Sequence, residues 1–438
     1  MRIFPLIGTI ASGALLATMT AQAQTTVTIG TVNNGDMIVM QSLSGQFEEQ
    51  YPDISLDWVV LEENVLRQRL TTDIATGSGQ FDVATIGTYE VPIWAAQGWL
   101  TPLDNLPEDY DVDDLLQSVR NGLSYDGTLY ALPFYGESSM LFYRTDLFEA
   151  AGIEVPEQPT WDQVKGWAEQ LSGQDEDVYG ICLRGKPGWG ENMGFLSTMV
   201  NSYGGQWFNM DWEPTIDSPE WKAAISDYVE MLNNYGPPGA TSNGFNENLS
   251  LFATGKCAMW VDATVAAGLL FNPAESQVAD KVGFARAPIA ETEKGANWLW
   301  SWSLAIPESS DAKDAALTFI TWATSKGYIE LVGETEGWAS APPGTRRSTY
   351  ENPNYVEAAP FAAPVLAAIE SADPTDQTLN PSPYIGIQYV GIPEFQAIGT
   401  TVGQTIAAVL AGQMSVDQAL QSAQAAVSRT MRQAGYPK

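Results

Sequence analysis

Histidine is absent from all 438 residues, which removes His-based triads, His general bases and His-ligated zinc together. The groups left to do chemistry are carboxylates, amides, arginine and tryptophan, and several of them stand where strand-like runs end. Asn33 and Asn34 follow TVTIGTV, Glu62 and Glu63 follow ISLDWVVL, and Thr88, Tyr89 and Glu90 follow FDVATIG. Arg184, Lys186 and Trp189 occupy the Gly-rich stretch LRGKPGWGEN. Trp260 and Asp262 alternate in AMWVD, so they share one face of a strand, and Trp298, Trp300 and Trp302 alternate in the same way. Trp338 and Arg346, in GWASAPPGTRRSTY, are weaker candidates. This set suits a neutral molecule rich in hydroxyls. Carboxylates and amides accept from hydroxyls, an Arg fork donates to two adjacent ones, and aromatic walls cover C–H faces and exclude water. Plain structural roles compete: one asparagine suffices for a helix N-cap, a first-turn Glu favours the helix dipole, Trp260 fits a core, and Arg184 can pair with a neighbouring acid. Two carboxylates across a cleft would also hydrolyse a glycoside without histidine.

Such residues need loops held at the ends of strands. From 26 to 100 the signals alternate: the strand TVTIGTV, the stripe Met37, Met40, Leu43, Phe47, a half-buried strand with Ile54, Leu56, Trp58 and Val60, the stripe Leu66, Leu70, Ile74, and the buried strand FDVATIG. A β-α-β-α-β series predicts a parallel sheet with right-handed crossovers, and ligands of such sheets bind beyond the carboxyl ends of the strands. A second series begins near residue 135 and includes VYGICLR, a helical stretch from Trp221 to Leu232 and the strand CAMWV. After WLWSWSLAIP a helix carries the stripe Ala316, Phe319, Ile320, Ala323, and Ser415 with Gln418 predicts a capping box that opens the last helix.

The first 23 residues hold one arginine, an apolar run from Ile3 to about Met19 and then Ala21-Gln22-Ala23, which reads as an export signal cleaved near Ala23-Gln24. No cysteine follows the run, so a lipid anchor is not expected and the periplasm is the expected compartment. The remaining length exceeds what one core usually supports, so two lobes are expected. With 20 basic against 53 acidic residues and a net charge of −33, nucleic acid and anionic lipid are poor partners. Cys182 and Cys257 lie in strand-like runs, and in an oxidising compartment a disulfide leads over two separate buried thiols. No cofactor is implied, and the lack of His, of a Cys cluster and of EF-hand spacing gives no metal site.

The segments ALPFYGESSMLFYRTDLFEAAGI (131–153), PTIDSPEWKAAISDYVEML (214–232), LFATGKCAMWVDATVAAG (251–268) and WSWSLAIPESSDAKDAALTFITWAT (300–324) resemble, in this order, the carbohydrate-specific extracellular solute-binding proteins related to maltose-binding protein. GTYEVPIW, LRGKPGWGENM and GKCAMWVDATVAAG look most like the sorbitol/mannitol binders of polyol importers. The resemblance implies an α/β fold of two lobes, each a mostly parallel sheet flanked by helices, with a multi-strand hinge and a ligand cleft between them. By that analogy the N-lobe is 24–134 plus 303–350 and the C-lobe 135–302 plus 351–438, with crossings near Tyr135, Trp302 and Tyr350. The motif PFYGES matches the family segment where a carboxylate meets the sugar, which implies Glu137 with Tyr135 beside it. The family also presents polar groups at the position of Thr88, Tyr89 and Glu90 and an aromatic at that of Trp260. The implied activity is binding without catalysis. A monomer would capture a sugar alcohol, or alternatively a mono- or oligosaccharide, and deliver it to the membrane permease of an ABC importer. A chemoreceptor ligand sensor would use the same closed form.

Overall fold

A computed structural model describes residues 24–173 and 177–437; the expected export signal, 1–23, lies outside the described residues. The first strand, β1 (Thr25–Val32), leads into helix α1 (Gly35–Ser42), β2 (Ile54–Leu61), α2 (Glu63–Thr76), β3 (Val83–Ile86) and α3 (Glu90–Ala96). β1 pairs in parallel with β2, from Thr25 opposite Ile54 to Val32 opposite Leu61, and in parallel with β3 at Ile29 and Val83. The stripes read from the sequence face the core: Met37, Met40 and Phe47, Leu66, Leu70 and Ile74, and Phe319 and Ile320 are all buried. Burial of each such side chain contributes roughly 1.5–3 kcal/mol.

β4 (Ala131–Glu137) and β5 (Ser139–Arg144) are separated by Ser138 alone, yet they belong to different sheets. After helices α4 (Asn192–Ser202), α5 (Pro219–Tyr235) and α6 (Phe245–Ala253), strands β6 (Met259–Ala263), β7 (Val282–Arg286) and β8 (Trp300–Ala305) follow. The five-stranded sheet runs β2-β1-β3-β8-β4 and the three-stranded sheet β6-β5-β7. The expectation of mostly parallel sheets holds only for β1 with its two neighbours. β8 is antiparallel to both β3 and β4, and β5 is antiparallel to β6 and β7. The reason is connectivity: β8 returns to the first sheet from the second, so it enters at the opposite end, and local β-α-β patterning carries no signal of that. In the second sheet the parallel contacts are the bridges Tyr179 to Cys257 and Cys182 to Trp260.

The helix ends follow local chemistry. Asn34 caps α1 by accepting from the Met37 N–H, Glu62 caps α2, and the last helix, α7 (Val416–Gln433), opens on the Ser415/Gln418 capping box. Among the described residues no helix is long and apolar enough to cross a membrane.

Cys182 and Cys257 form a disulfide across 75 residues of sequence. It ties the segment that leads to Arg184 to the start of β6. A loop of that length makes the cross-link worth roughly 4 kcal/mol through the unfolded state. The Cys182→Ala/Cys257→Ala variant should therefore lose about that much stability in urea unfolding; an unchanged midpoint would mean that the bond adds no constraint.

Candidate functional site

A cleft opens between the two sheets, with about 830 Å³ of empty space counting its solvent-connected mouth, within the range of small-molecule sites. One wall comes from the carboxyl ends of β1 and β2: Asn33, Asn34, Glu62, Glu63 and, one helical turn on, Arg67. The crossing between sheets supplies Tyr135 and Glu137. The other wall carries Arg184, Lys186, Trp189, Glu191 and the start of α6 from Phe245 to Glu247, while Trp298, Trp300, Trp302 and Gln388 complete the lining. β8 has a bulge, but it falls after Trp302, so the alternation of the three tryptophans survives and all three reach the cleft.

Arg184 is fixed by Asp262. The Arg184 Nε and Nη2 donate to both Asp262 oxygens at 2.6–3.1 Å, and Nη1 donates to the Gly190 carbonyl at 2.9 Å. Asp262 also accepts from the Trp260 indole N–H at 3.0 Å and the Ala263 N–H at 2.7 Å. Burial alone would lower the Arg184 pKa, but the attraction of Asp262 raises it, and the net shift is upward. The guanidinium also sits 5.2 Å from the centre of the Phe245 ring.

Arg67 is held from beneath by Glu63, which accepts at 2.9 and 3.0 Å, and by Glu90. Its guanidinium faces the rings of Trp189 at 4.0 Å, Trp302 at 4.9 Å and Trp300 at 5.1 Å. This gives the cleft a floor of cation and aromatic faces.

Several polar atoms on these walls are buried without a hydrogen bond: the indole N–H groups of Trp189 and Trp298, Oε1 of Gln388 and Oε2 of Glu191, which lies 4.0 Å from Arg184 Nη1. Buried polar groups in native proteins are hydrogen-bonded, so two donors and two acceptors facing one cavity mark a place where another molecule completes them. The Glu137 carboxyl has no hydrogen bond among the described residues. Burial holds its pKa well above the usual carboxylate range; Arg184 pulls it down less, and the charges of Asp262 and Glu63 push it further up. Glu191 is also raised, by burial first and by Glu63 second.

The two asparagines divide their work. Asn34 caps α1 and donates at 2.6 Å to the Tyr135 hydroxyl, whereas Asn33 lines the cleft and its backbone carbonyl accepts from the Asn246 side chain at 3.2 Å. Lys186 pairs with Glu62 at 2.6 Å, and Asn64 donates to the Pro187 carbonyl at 3.4 Å. These three contacts join the walls across the mouth, so the structure is closed.

The cleft does not take in every candidate. Thr88, Tyr89 and Glu90 do sit at the end of β3, but behind the wall. Glu90 accepts from the Gly87 N–H at 3.0 Å and from Arg67, which stands between it and the cleft. The Tyr89 hydroxyl donates to the Ile392 carbonyl at 3.0 Å, and its ring lies 4.8 Å from that of Trp189. Trp260 and Asp262 share a face as expected, but it is an interior one. Trp260 is packed among Phe142, Phe245 and Phe252, and Asp262 is spent on Arg184. Arg346 is buried elsewhere, bonded to the Thr324 and Asp111 carbonyls and stacked on Tyr110. Arg67, Glu191, Phe245, Asn246, Glu247 and Gln388 were not anticipated. Only Arg67 had a local signal, a charge inside the buried stripe of α2 and four residues after Glu63.

Three comparisons bear on this site. Residues 34–330 match the family model for bacterial extracellular solute-binding proteins. A mannitol-binding protein of Pseudomonas aeruginosa is 58% identical over 429 residues, 98% of each chain. A solved ABC transporter solute-binding protein of Agrobacterium vitis S4, with D-mannitol bound, is 60% identical; the match covers 94% of this chain and all of that one, with a TM-score of 0.93. A second, from Agrobacterium radiobacter K84 in complex with ribitol, is 26% identical with a TM-score of 0.81, covering 93% of this chain and 99% of that one. The two-lobed architecture, the closed cleft and these matches agree: the chain belongs to the bacterial extracellular solute-binding proteins and has their two-lobe fold.

Proposed function

We propose that this protein is the periplasmic binding component of an ABC importer, that it captures a sugar alcohol of the mannitol or sorbitol type by lobe closure, and that it passes the ligand unchanged to the membrane permease. The observation that carries the reading is the set of donors and acceptors on aromatic walls that lack hydrogen bonds, from Trp189, Trp298, Gln388 and one oxygen of Glu191. A linear polyol presents a hydroxyl on every carbon, each able to donate once and accept twice. Glu137, Glu191 and Gln388 would accept; Arg184, Tyr135 and the two indoles would donate. The mannitol-binding relatives support the same ligand class. We assign the N-lobe to 24–134 with 303–350 and the C-lobe to the rest, acting as a monomer.

Lobe closure fits the energetics. Shifting a population from 1:99 to 99:1 takes about 5.5 kcal/mol of differential affinity, and two to four hydrogen bonds to charged groups, at roughly 1.5–3 kcal/mol each, supply it. Hydrolysis by Glu137 with Asp262 has no support, because both Asp262 oxygens are already bonded. Calorimetric titration with mannitol, sorbitol, xylitol, glucose and maltose tests the proposal. Saturable hexitol binding without chemical change is expected. Binding of maltose or glucose alone would overturn the ligand class, and turnover of an aryl glycoside would overturn the binding role.

A further inference from the structure

Two glycines stand where the walls of the cleft touch. Gly188 and Gly190 flank Trp189 on one wall, and both abut the first turn of α2 on the other. A Cβ at Gly190 would overlap Glu63 Oε1 and lie 3.2 Å from Arg67 Nη2, and a Cβ at Gly188 would lie 2.5 Å from Asn64 Oδ1. The three nearest atoms at each position all belong to α2, so the tightest contacts are with the opposite wall. The Gly190 carbonyl accepts from Arg184 Nη1 at 2.9 Å. Glu63 Oε1, the atom that a methyl group would displace, accepts from Arg67 Nε at 3.0 Å and Nη2 at 2.9 Å. Gly190 thus stands between the two guanidinium groups, one from each wall, and Glu63 cannot move aside without loosening its hold on Arg67.

We infer that Gly190, with Gly188 beside it, is a positioning residue for ligand capture: the missing Cβ lets the walls approach far enough to set Arg67 and Arg184 in register across the cleft. Gly190 acts through Glu63 on one side and Arg184 on the other. A methyl group at 190 has room while the walls are apart and clashes when they meet, so it raises the energy of the closed form alone. Apparent affinity then falls with the closed, binding-competent fraction. The effect on mannitol rests on the polyol reading; the control of closure does not.

Two measurements test this. The first needs no ligand. A Cβ at 188 would lie 3.2 Å from Asn64 Cγ, so Asn64→Cys/Gly188→Cys places two thiols within reach of a disulfide when the walls meet. The rate at which mild oxidation links them reads how often closure occurs, and adding Gly190→Ala should slow it about tenfold, the scale of one overpacked contact. Equal rates would overturn the inference. The second is calorimetric titration with mannitol: Gly190→Ala should bind about tenfold more weakly, with an unchanged urea midpoint. Glu63→Asp draws the carboxylate back by one methylene, so in that background the same Gly190→Ala change should cost far less. A lowered urea midpoint in Gly190→Ala, or a penalty as large with Asp at 63 as with Glu, would overturn the positioning role. If mannitol does not bind the parent protein, the polyol reading has failed, and the oxidation rates still decide whether Gly190 controls closure.

Discussion

Asp262→Ala is expected to destabilise the fold by about 3–5 kcal/mol, because it leaves the buried Arg184 guanidinium without its counter-charge, and to abolish detectable mannitol binding. Asp262 is 0% exposed and lines no part of the cleft. Its effect on binding must therefore run through its neighbours, first Arg184, which it holds with three hydrogen bonds, and then Glu137, whose pKa its charge raises. The informative comparison is Asp262→Asn. The amide keeps the shape and can still accept, but it loses the charge and one of the two acceptor oxygens, so the guanidinium is free to tilt. A folded Asp262→Asn protein whose mannitol Kd rises at least about tenfold, which is about 1.4 kcal/mol, is the expected result in paired urea unfolding and calorimetry. Arg184→Lys should resemble it, since an ammonium cannot reproduce the fork. Unchanged affinity in Asp262→Asn would show that the ion pair serves folding alone.

That pair also shows where the sequence was readable. Alternation along β6 correctly puts Trp260 and Asp262 on one face, but parity says nothing of what lies opposite. The answer arrives from Arg184, 78 residues earlier in the chain, through a neighbour tied on by the disulfide. The same limit explains Thr88, Tyr89 and Glu90. The rule that ligands gather at the carboxyl ends of parallel strands places them near the site, and Arg67 then occupies the intervening space. Where the controlling physics is local, the reading holds. The apolar stripes of α1 and α2, the Asn34 cap and the Ser415/Gln418 box each depend on residues within one or two turns. Gln388 and Phe245 had no such signal, because only the return of the chain to the cleft gives them a role. The antiparallel second sheet was missed for the same reason, since strand direction there follows from how the chain passes between sheets.

Glu137 separates binding from stability in the opposite sense to Asp262. Its carboxyl faces the cleft without a hydrogen bond, and burial raises its pKa well above the ordinary value of 4.5. The folded state therefore holds the proton more tightly than the unfolded chain does. Stability from this group is full below the ordinary glutamate range and is lost as pH rises from about 4.5 toward the raised value. Glu137→Gln removes that liability, so the variant should match the parent near pH 4 and exceed it in thermal midpoint at pH 8 when no ligand is present. Binding should move the other way. In the proposed complex the carboxylate accepts from ligand hydroxyls, and its loss leaves those hydroxyls unpaired in a closed cavity, so Glu137→Ala should weaken mannitol by about 100-fold, or about 3 kcal/mol. Glu137→Gln, which still offers one acceptor, should fall between the parent and Glu137→Ala. The two readouts together distinguish a ligand-facing group from a packing one: a structural glutamate would lose stability at every pH on substitution, whereas a group kept for its ligand gives a protein that is more stable at high pH and binds less well.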